Sequence, residues 1–271
     1  MVHILMSTYN GARYLAQQID SILAQTYTEW RLYIRDDGSS DNTLRIAKDY
    51  ANKDKRITIM EDSDNLGACR SFERLLQVCD EATYYAFADQ DDVWKPNKIA
   101  LCVEAMYQAE QTHPNCPIVV HTDLQVVDEN LSEIASSFWQ YSNIRPDIVD
   151  VNPRYLAIGN SVTGCAMLFN HAARIASIPF PKTAYMHDAW VALITAAQGG
   201  KVIPLFITPI AYRQHSHNVL GAVRYTLLHK KWKQRKDDAR RCYSMAHPLV
   251  YTNKVQFLFW KMVYFIHRQC S

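Results

Sequence analysis

The sequence predicts an α/β protein, a mostly parallel sheet with helices on both faces, followed by a helical extension at the C-terminal end. Three observations predict it. Short apolar runs alternate with segments of helical periodicity through the first ninety or so residues. Polar clusters recur where those runs stop, and open α/β sheets bind ligands beyond the carboxyl ends of their strands. The last fifty residues differ from the rest in both charge and pattern.

The elements follow in order. Residues 2–6 are apolar and run into Ser7-Thr8-Tyr9-Asn10-Gly11, which reads as a buried strand stopped by turn residues. Leu15, Ile19, Ile22 and Leu23 then recur at helical spacing. Residues 30–34 form a second strand ending at Arg35-Asp36-Asp37-Gly38, and Asp41 is the expected N-cap of a helix over 43–50. Residues 57–60 make a third strand and 62–67 a loop. Phe72, Leu75, Leu76 and Cys79 mark another helix before a fourth strand at 84–88. Such alternation implies a parallel sheet covered on both faces. The second half is less regular. Residues 117–120 lead into His121-Thr122-Asp123, 165–169 and 202–207 are strand candidates, and 188–197 is helical. We divide the chain into a body, 1–221, whose first half is 1–95 and second half 96–221, and a basic, aromatic-rich helical tail, 222–271.

Composition excludes several classes. Nearly half the residues are apolar and about a fifth charged, so 271 residues can bury a substantial core. The net charge of +2 hides a split. From residue 222 onward eleven Lys or Arg face only Asp237 and Asp238, a balance of +9, which leaves the first 221 residues at −7. A basic tail on an acidic body is suited to an anionic partner. Seven cysteines without a C-x-x-C pair give no zinc site or disulfide framework, and Cys69, Cys79, Cys102 and Cys165 read as buried thiols. The apolar start, Met-Val-His-Ile-Leu-Met, is too short for a signal peptide, so a reducing, cytoplasmic location is expected. Neither G-x-G-x-x-G nor a P-loop occurs, which argues against common dehydrogenases and P-loop NTPases.

The stretch "FADQDDVW" places Asp89, Asp91 and Asp92 within four positions behind the fourth strand. Their mutual repulsion needs an explanation. A solvated loop is one. A calcium loop fails, because counting from Asp89 the sixth position is Trp94 instead of Gly and the twelfth is Ala100 instead of Glu. A third reading has Asp89 and Asp91 holding Mn²⁺ or Mg²⁺ against a diphosphate, a cation typically bound through one or two carboxylates plus phosphates. Further along, "RQHSHN" places His215 and His217 two residues apart, on one side if the segment is extended.

In order along the chain stand "STYNGARYLAQQIDSILAQTY", "IRDDGSSDNT", "NLGACRSFERLL" and "FADQDDVWKPNKI". With these the sequence resembles the inverting glycosyltransferase family 2, which has the nucleotide-sugar-binding GT-A fold. The later "GNSVTGCAMLFN", "HDAW" and "YRQHSHN" are similar to its bacterial rhamnosyltransferase-like members. The resemblance covers about residues 1–218 and makes 1–95 the nucleotide-binding half and 96–221 the acceptor half.

Carried over position by position, the resemblance implies that Thr8 and Tyr9 line the base and ribose pocket and that Asp36 accepts from the pyrimidine N–H. Asp37 serves that pocket or caps the turn before Gly38. Asn65 and Gly67 form a loop approaching the nucleotide, and Arg70 reaches the base or diphosphate unless it is an exposed helix arginine. Asp89 touches the ribose or a metal-bound water, Gln90 belongs to the same nucleotide-sugar site, and Asp91 is the direct metal ligand. His215 completes the metal or diphosphate contacts, with Arg213 and Asn218 nearby. Asp92 and Trp94 border the sugar pocket, core packing being the competing role for Trp94. Gly164 and Cys165 belong to an acceptor-side loop, and His187 is an acceptor-pocket or packing residue. Asp188 matches the general base, with helix capping as its alternative.

The implied cofactor is Mn²⁺ or Mg²⁺. The implied donor is dTDP-L-rhamnose first and a UDP-sugar second, and the acceptor a cell-surface glycan or lipid-linked saccharide. Two other classes stay open: a nucleotide-sugar-binding protein without catalysis, and a nucleotidyltransferase, for which "STYNGARY" is a poor phosphate loop. The tail segment "VQFLFWKMVYFI" is too short to span a bilayer. With the basic run at 230–241 it suits contact with a membrane surface, the inner face of the plasma membrane, or packing on the body or on a second subunit of an oligomer. No nucleic-acid-binding fold is recognised.

Overall fold

The computed structural model describes residues 1–62, 64–216, 218, 221–222 and 232–270; His217 and the start of the basic run, residues 230–231, lie outside them. The first half follows the predicted alternation: β1 (Val2–Thr8), α1 (Leu15–Leu23), β2 (Trp30–Asp36), α2 (Thr43–Ala51), β3 (Ile57–Ile59), α3 (Ala68–Val78) and β4 (Tyr84–Ala88). The cap of α2 is displaced by one. Asn42 is the N-cap, while Asp41, one step earlier, accepts from the Thr43 N–H at 3.0 Å. Gly67 precedes α3 at φ +74°, a left-handed turn that a side chain would strain.

Then come β5 (Val93–Trp94), α4 (Lys98–Thr112), β6 (Ile118–Thr122), β7 (Gln125–Val127), β8 (Glu133–Ala135), α5 (Phe138–Tyr141), α6 (Pro146–Val149) and α7 (Pro153–Ile158). A 3₁₀ turn, Gly164–Ala166, opens β9 (Met167–Asn170), where one continuous strand was expected. The chain continues through α8 (His171–Ser177), α9 (His187–Ala197), β10 (Lys201–Leu205), β11 (Ile210–Arg213), α10 (Trp232–Ala246) and α11 (Lys254–Cys270).

Seven of the described strands form one sheet in the order β10-β6-β9-β4-β1-β2-β3. β1 pairs in parallel with β2 and β4, β2 with β3, and β10 with β6; β9 alone among them runs antiparallel to its neighbours, β4 and β6. The period-2 alternation of a strand divides the core in two. Ile4, Met6, Ala86 and Ala88 face α1, α2 and α4, whereas Leu5, Tyr85 and Phe87 face α3, α8 and α9. A second sheet, β5-β11-β7-β8, closes over the carboxyl ends of the central strands and brings β11 beside the Asp89–Asp92 segment.

The tail packs on the body. Trp260 and Tyr264 of α11 meet Tyr155 of α7, each with ring centroids 5.8 Å apart, and Met245, Ala246 and Tyr251 are buried in the same core cluster. No helix among the described residues is long and apolar enough to cross a membrane.

Candidate active site

A cleft of about 440 Å³ lies beyond the carboxyl ends of β1, β2 and β4, the rim that strand endings in the sequence point to. Tyr9, Asp37, Asn65 and Gly67 line one end, Asp89, Gln90 and Asp91 its floor, and Gly164, His187 and Asp188 the opposite wall. Residues spread over 180 positions of chain therefore meet in one concavity.

The loop after β2 is organised around two adjacent carboxylates. Asp36 is buried; its oxygens accept from Thr8 Oγ1 (2.9 Å), Ser39 N–H (2.8 Å) and Ser39 Oγ (2.6 Å), so it and Thr8 brace the turn below the cleft. Asp37, its neighbour, lines the cleft and accepts from the N–H groups of Leu66 and Gly67 at 2.8 and 2.9 Å. Arg35, fully buried, donates to Asp37 (2.6 Å), to Ser71 Oγ (2.9 Å), to the Asp64 carbonyl (2.6 Å) and to Asp62. One buried guanidinium thus ties β2, the loop before α3 and α3 itself together. Gln90 exchanges hydrogen bonds with the Tyr9 backbone, accepting its N–H at 2.9 Å and donating to its carbonyl at 3.0 Å, which joins the ends of β1 and β4.

Around the acidic cluster the electrostatics are strained in one direction. The Asp89 carboxyl is pushed up to about 7, by burial first and then by the charges of Asp91 and Asp188. Asp92 is sealed beneath the floor and pushed well above the carboxylate range by burial, then by Asp91 and Asp89, although it accepts the Arg213 N–H at 3.1 Å. A cluster whose carboxylates disfavour one another's ionisation is a fit for a divalent cation, which removes the repulsion. His215 Nε2 stands 2.7 Å from Asp91 Oδ2. Neighbouring ligands of a cation bound at about 2.1 Å lie about 3 Å apart, so this pair needs to open only slightly to share one. Ligand atoms of Asp89, Asp92 and Cys165 also gather within 4.8 Å of one another. Asp92 and Cys165, however, lie below the floor, and burial, with Asp92 and Asp89, drives the Cys165 thiol well above its ordinary range. Asp91 lines the cleft and His215 is hydrogen-bonded to it, so this pair is the better-placed donor set for a cation that must also meet a phosphate.

The opposite wall holds Asp188 in the first turn of α9. Its oxygens accept from the Ala189 N–H at 2.6 Å and the Gly164 N–H at 3.1 Å. Burial outweighs these bonds and raises its carboxyl to about 6. His187 packs face-on against Phe72 at 3.9 Å, is lowered by burial to about 3, and so is neutral. Its ring nitrogens have no hydrogen-bond partner among the described residues. A Cβ at Gly164 would stand 2.5 Å from His187 Nε2, so a glycine is needed there for the two segments of this wall to pack together.

Six expected residues are elsewhere: Thr8, Asp36 and Asp92 are buried beneath the cleft, where they brace its supporting turns, and Arg70, Trp94 and Cys165 are claimed by other partners. Arg70 turns out of the cleft, pairing with Glu73 at 2.6 Å and donating to the Phe180 and Pro181 carbonyls, because α3 presents it to the segment before α9. Trp94 is a core residue of β5 whose ring carries the fully buried Lys98 ammonium at 3.6 Å. Cys165 sits under the 3₁₀ turn instead of in the cleft. Sequence reasoning missed Phe138, Ile144, Asn160, Val162, Met186 and Tyr212, which also line the cleft. It also missed Tyr14, stacked on His215 at 4.9 Å. Asn160, Val162, Tyr212 and Tyr14 fall inside the quoted motifs without having been given a role, whereas Phe138, Ile144 and Met186, from the short α5 and two loops, carry no local signal.

The family model for Glycosyl transferase family 2 matches residues 3–174, well over half of the chain. The chain belongs to glycosyl transferase family 2. Within that family it is 33% identical over 106 residues to the UDP-Glc:alpha-D-GlcNAc-diphosphoundecaprenol beta-1,3-glucosyltransferase WfgD of Escherichia coli, covering 39% of this chain and 41% of that one. It is 34% identical over 105 residues to the dTDP-rhamnosyl transferase RfbG of Shigella flexneri, covering 37% and 36%. The aligned region spans about two fifths of the length of such curated relatives. Among solved structures, TarS 1-349 of S. aureus in complex with UDP-GlcNAc superposes with a TM-score of 0.68 at 14% identity, over 98% of this chain and 72% of that one. The mannosyltransferase PcManGT of Pyrobaculum calidifontis, in complex with GDP-Man and Mn²⁺, gives 0.61 at 15% identity, over 100% and 75%. At these identities the likeness is one of fold. This family 2 chain therefore has the GT-A-type architecture that its motifs implied.

Proposed function

We propose that the cleft transfers a sugar from a nucleotide-diphosphate donor to a hydroxyl of a cell-surface glycan or lipid-linked saccharide, with inversion at the anomeric carbon. The observation that carries this reading is Asp188, a carboxylate held at a helix start across the cleft from Asp89 and Asp91. In a direct displacement the acceptor hydroxyl must lose its proton as it attacks. Asp188, titrating near 6, is ionised at neutral pH and basic enough to accept that proton. Its two backbone donors orient it before the acceptor arrives. The new bond forms at the anomeric carbon, and the electron pair of the broken bond leaves with the nucleoside diphosphate.

Tyr9, Asp37, Asn65 and Gly67 would receive the nucleotide, with Asp89 and Gln90 beside the ribose and diphosphate. Asp91 and His215 are the residues that would hold Mn²⁺ or Mg²⁺. Such a cation, when bound, supplies the positive charge that offsets the leaving diphosphate.

For the donor we favour dTDP-L-rhamnose, supported by the stretch shared with RfbG. The comparable stretch shared with WfgD supports a UDP-sugar as the second reading. Thermal stability with dTDP, UDP, GDP or CDP, each with and without Mn²⁺, separates them. A ligand at 100 times its dissociation constant adds about 2.7 kcal/mol. A metal-dependent shift confined to dTDP supports rhamnosyl transfer, one confined to UDP supports the alternative, and no shift at all removes the diphosphate site. Substituting Asp188→Asn then distinguishes transfer from binding alone, because turnover collapses while the nucleotide-induced shift persists.

A further inference from the structure

α11 is apolar on two sides. One side packs on the body through Phe257, Trp260 and Tyr264. The other faces outward: Val255, Leu258, Phe259, Met262, Phe265 and Ile266 are 46–76% exposed. Their spacing of three and four residues aligns them in a single stripe along the helix. Isolated exposed apolar residues are ordinary, but a continuous stripe of six marks an interaction surface.

We propose that this outer face of α11 seats the protein on an anionic bilayer surface. Charge selects that partner. Residues 254–270 contain no Asp or Glu, while Lys254 and Lys261, seven residues apart, share an angular position beside the apolar stripe. The chain from residue 222 onward carries +9, and Arg240 and Arg241 are exposed near the end of α10. An amphipathic helix with lysines along its apolar face lies in the membrane interface and is drawn there by anionic headgroups. It lies on the bilayer and does not span it. A second copy of the chain is a poorer occupant, because a two-fold contact through this face would set lysines near lysines with no acid on the helix to pair them.

Docking there has a consequence for the cleft. α11 is bolted to α7: Tyr155 Oη bonds His267 Nδ1 at 2.9 Å, and a Cβ on Gly159 would stand 2.3 Å from Tyr264 Oη. The chain runs directly from Gly159 into residues 160–164, four of which line the cleft. A lipid-linked acceptor would thus be met by a cleft wall that shares its support with the membrane-bound helix. That consequence rests on the transfer reading, whereas the docking itself does not.

The test is flotation of the full chain with phosphatidylcholine vesicles, with and without phosphatidylglycerol, at low and high salt. The protein should float with the anionic vesicles, and salt should weaken binding by screening the lysines. The double variant Phe259→Glu/Met262→Glu, at two exposed positions, should lose about tenfold or more of the bound fraction. Lys254→Glu/Lys261→Glu should lose the preference for phosphatidylglycerol. A nucleotide-induced thermal shift in the same samples reports that the variants are folded and tests the transfer reading separately. No flotation with anionic vesicles, equal flotation of Phe259→Glu/Met262→Glu, or equal binding to neutral vesicles overturns the proposal. So does a two-chain mass in light scattering that the double variant reduces to one, which would make the face an interface between copies.

Discussion

His215 Nε2 lies 2.7 Å from Asp91 Oδ2, joining two residues 124 positions apart, of which Asp91 lines the cleft. Tyr14 stacks on the imidazole at 4.9 Å, and Arg213 donates to the Asp91 carbonyl at 2.7 Å, so both partners are held from behind. If this pair shares a cation, His215→Ala weakens metal-dependent nucleotide binding by about 10–100-fold, as loss of groups supporting a metal site typically does. Titrating Mn²⁺ at fixed nucleotide measures it. A variant that titrates like the parent means that His215 is not a ligand.

For Asp188 the expected loss in Asp188→Asn is about 10²–10⁴ in turnover, the usual worth of a positioned base. Its carboxyl is raised to about 6, and the base must be ionised, so kcat/KM falls as pH drops through about 6 and levels off above. A profile flat from pH 5 to pH 8 would falsify the assignment.

The same residue makes a stability prediction of opposite sense. A carboxyl raised in the folded state from 3.8 to about 6 opposes folding once it ionises. The penalty is absent below the unfolded value and complete above the folded one. Asp188→Asn should therefore gain stability relative to the parent as pH rises from 3 to 8, by up to about 3 kcal/mol. Denaturant midpoints compared at the two pH values read this directly.

Arg35→Met removes the buried guanidinium that serves Asp37, Asp62, Ser71 and the Asp64 carbonyl. Leaving Asp37 charged without its partner should cost about 3–5 kcal/mol. The lost bonds also free the loop that carries Asn65 and Gly67. Urea unfolding and nucleotide affinity should both worsen. Arg70→Ala, by contrast, should lower stability while leaving nucleotide affinity unchanged, since its guanidinium bonds Glu73 and two carbonyls outside the cleft.

Gly164→Ala drives a methyl into His187, whose ring is wedged against Phe72. Overpacking of this kind costs about 1–3 kcal/mol. The cost should shrink in the background of His187→Ala, and a double-mutant cycle that shows strict additivity would mean the two residues do not touch.

The sequence by itself determined the first half of the fold, β1 through β4 with α1 to α3. There the periods of 2 and 3.6 are set by side-chain direction along a strand or helix and need no distant partner to be read. It also carried the family motifs and the clustering of Asp36, Asp89 and Asp91 at strand ends. α4 was legible in principle through Ile99, Cys102, Met106 and Ala109, but a cysteine, a methionine and an alanine make a weak apolar stripe.

Tertiary structure alone decided the rest. The reversed β9 between β4 and β6, and the small sheet whose strand β11 leads into His215 beside Asp91, are pairings between segments far apart in the chain. Nothing in the local pattern of either partner specifies them. The direction of a polar side chain was decided in the same way. Arg70 and Trp94 stand in site motifs, yet Glu73 with the Phe180 and Pro181 carbonyls draws one out of the cleft, and core burial beneath Lys98 claims the other. A residue's type is written locally, whereas its partner depends on which remote segment the packed core brings within reach.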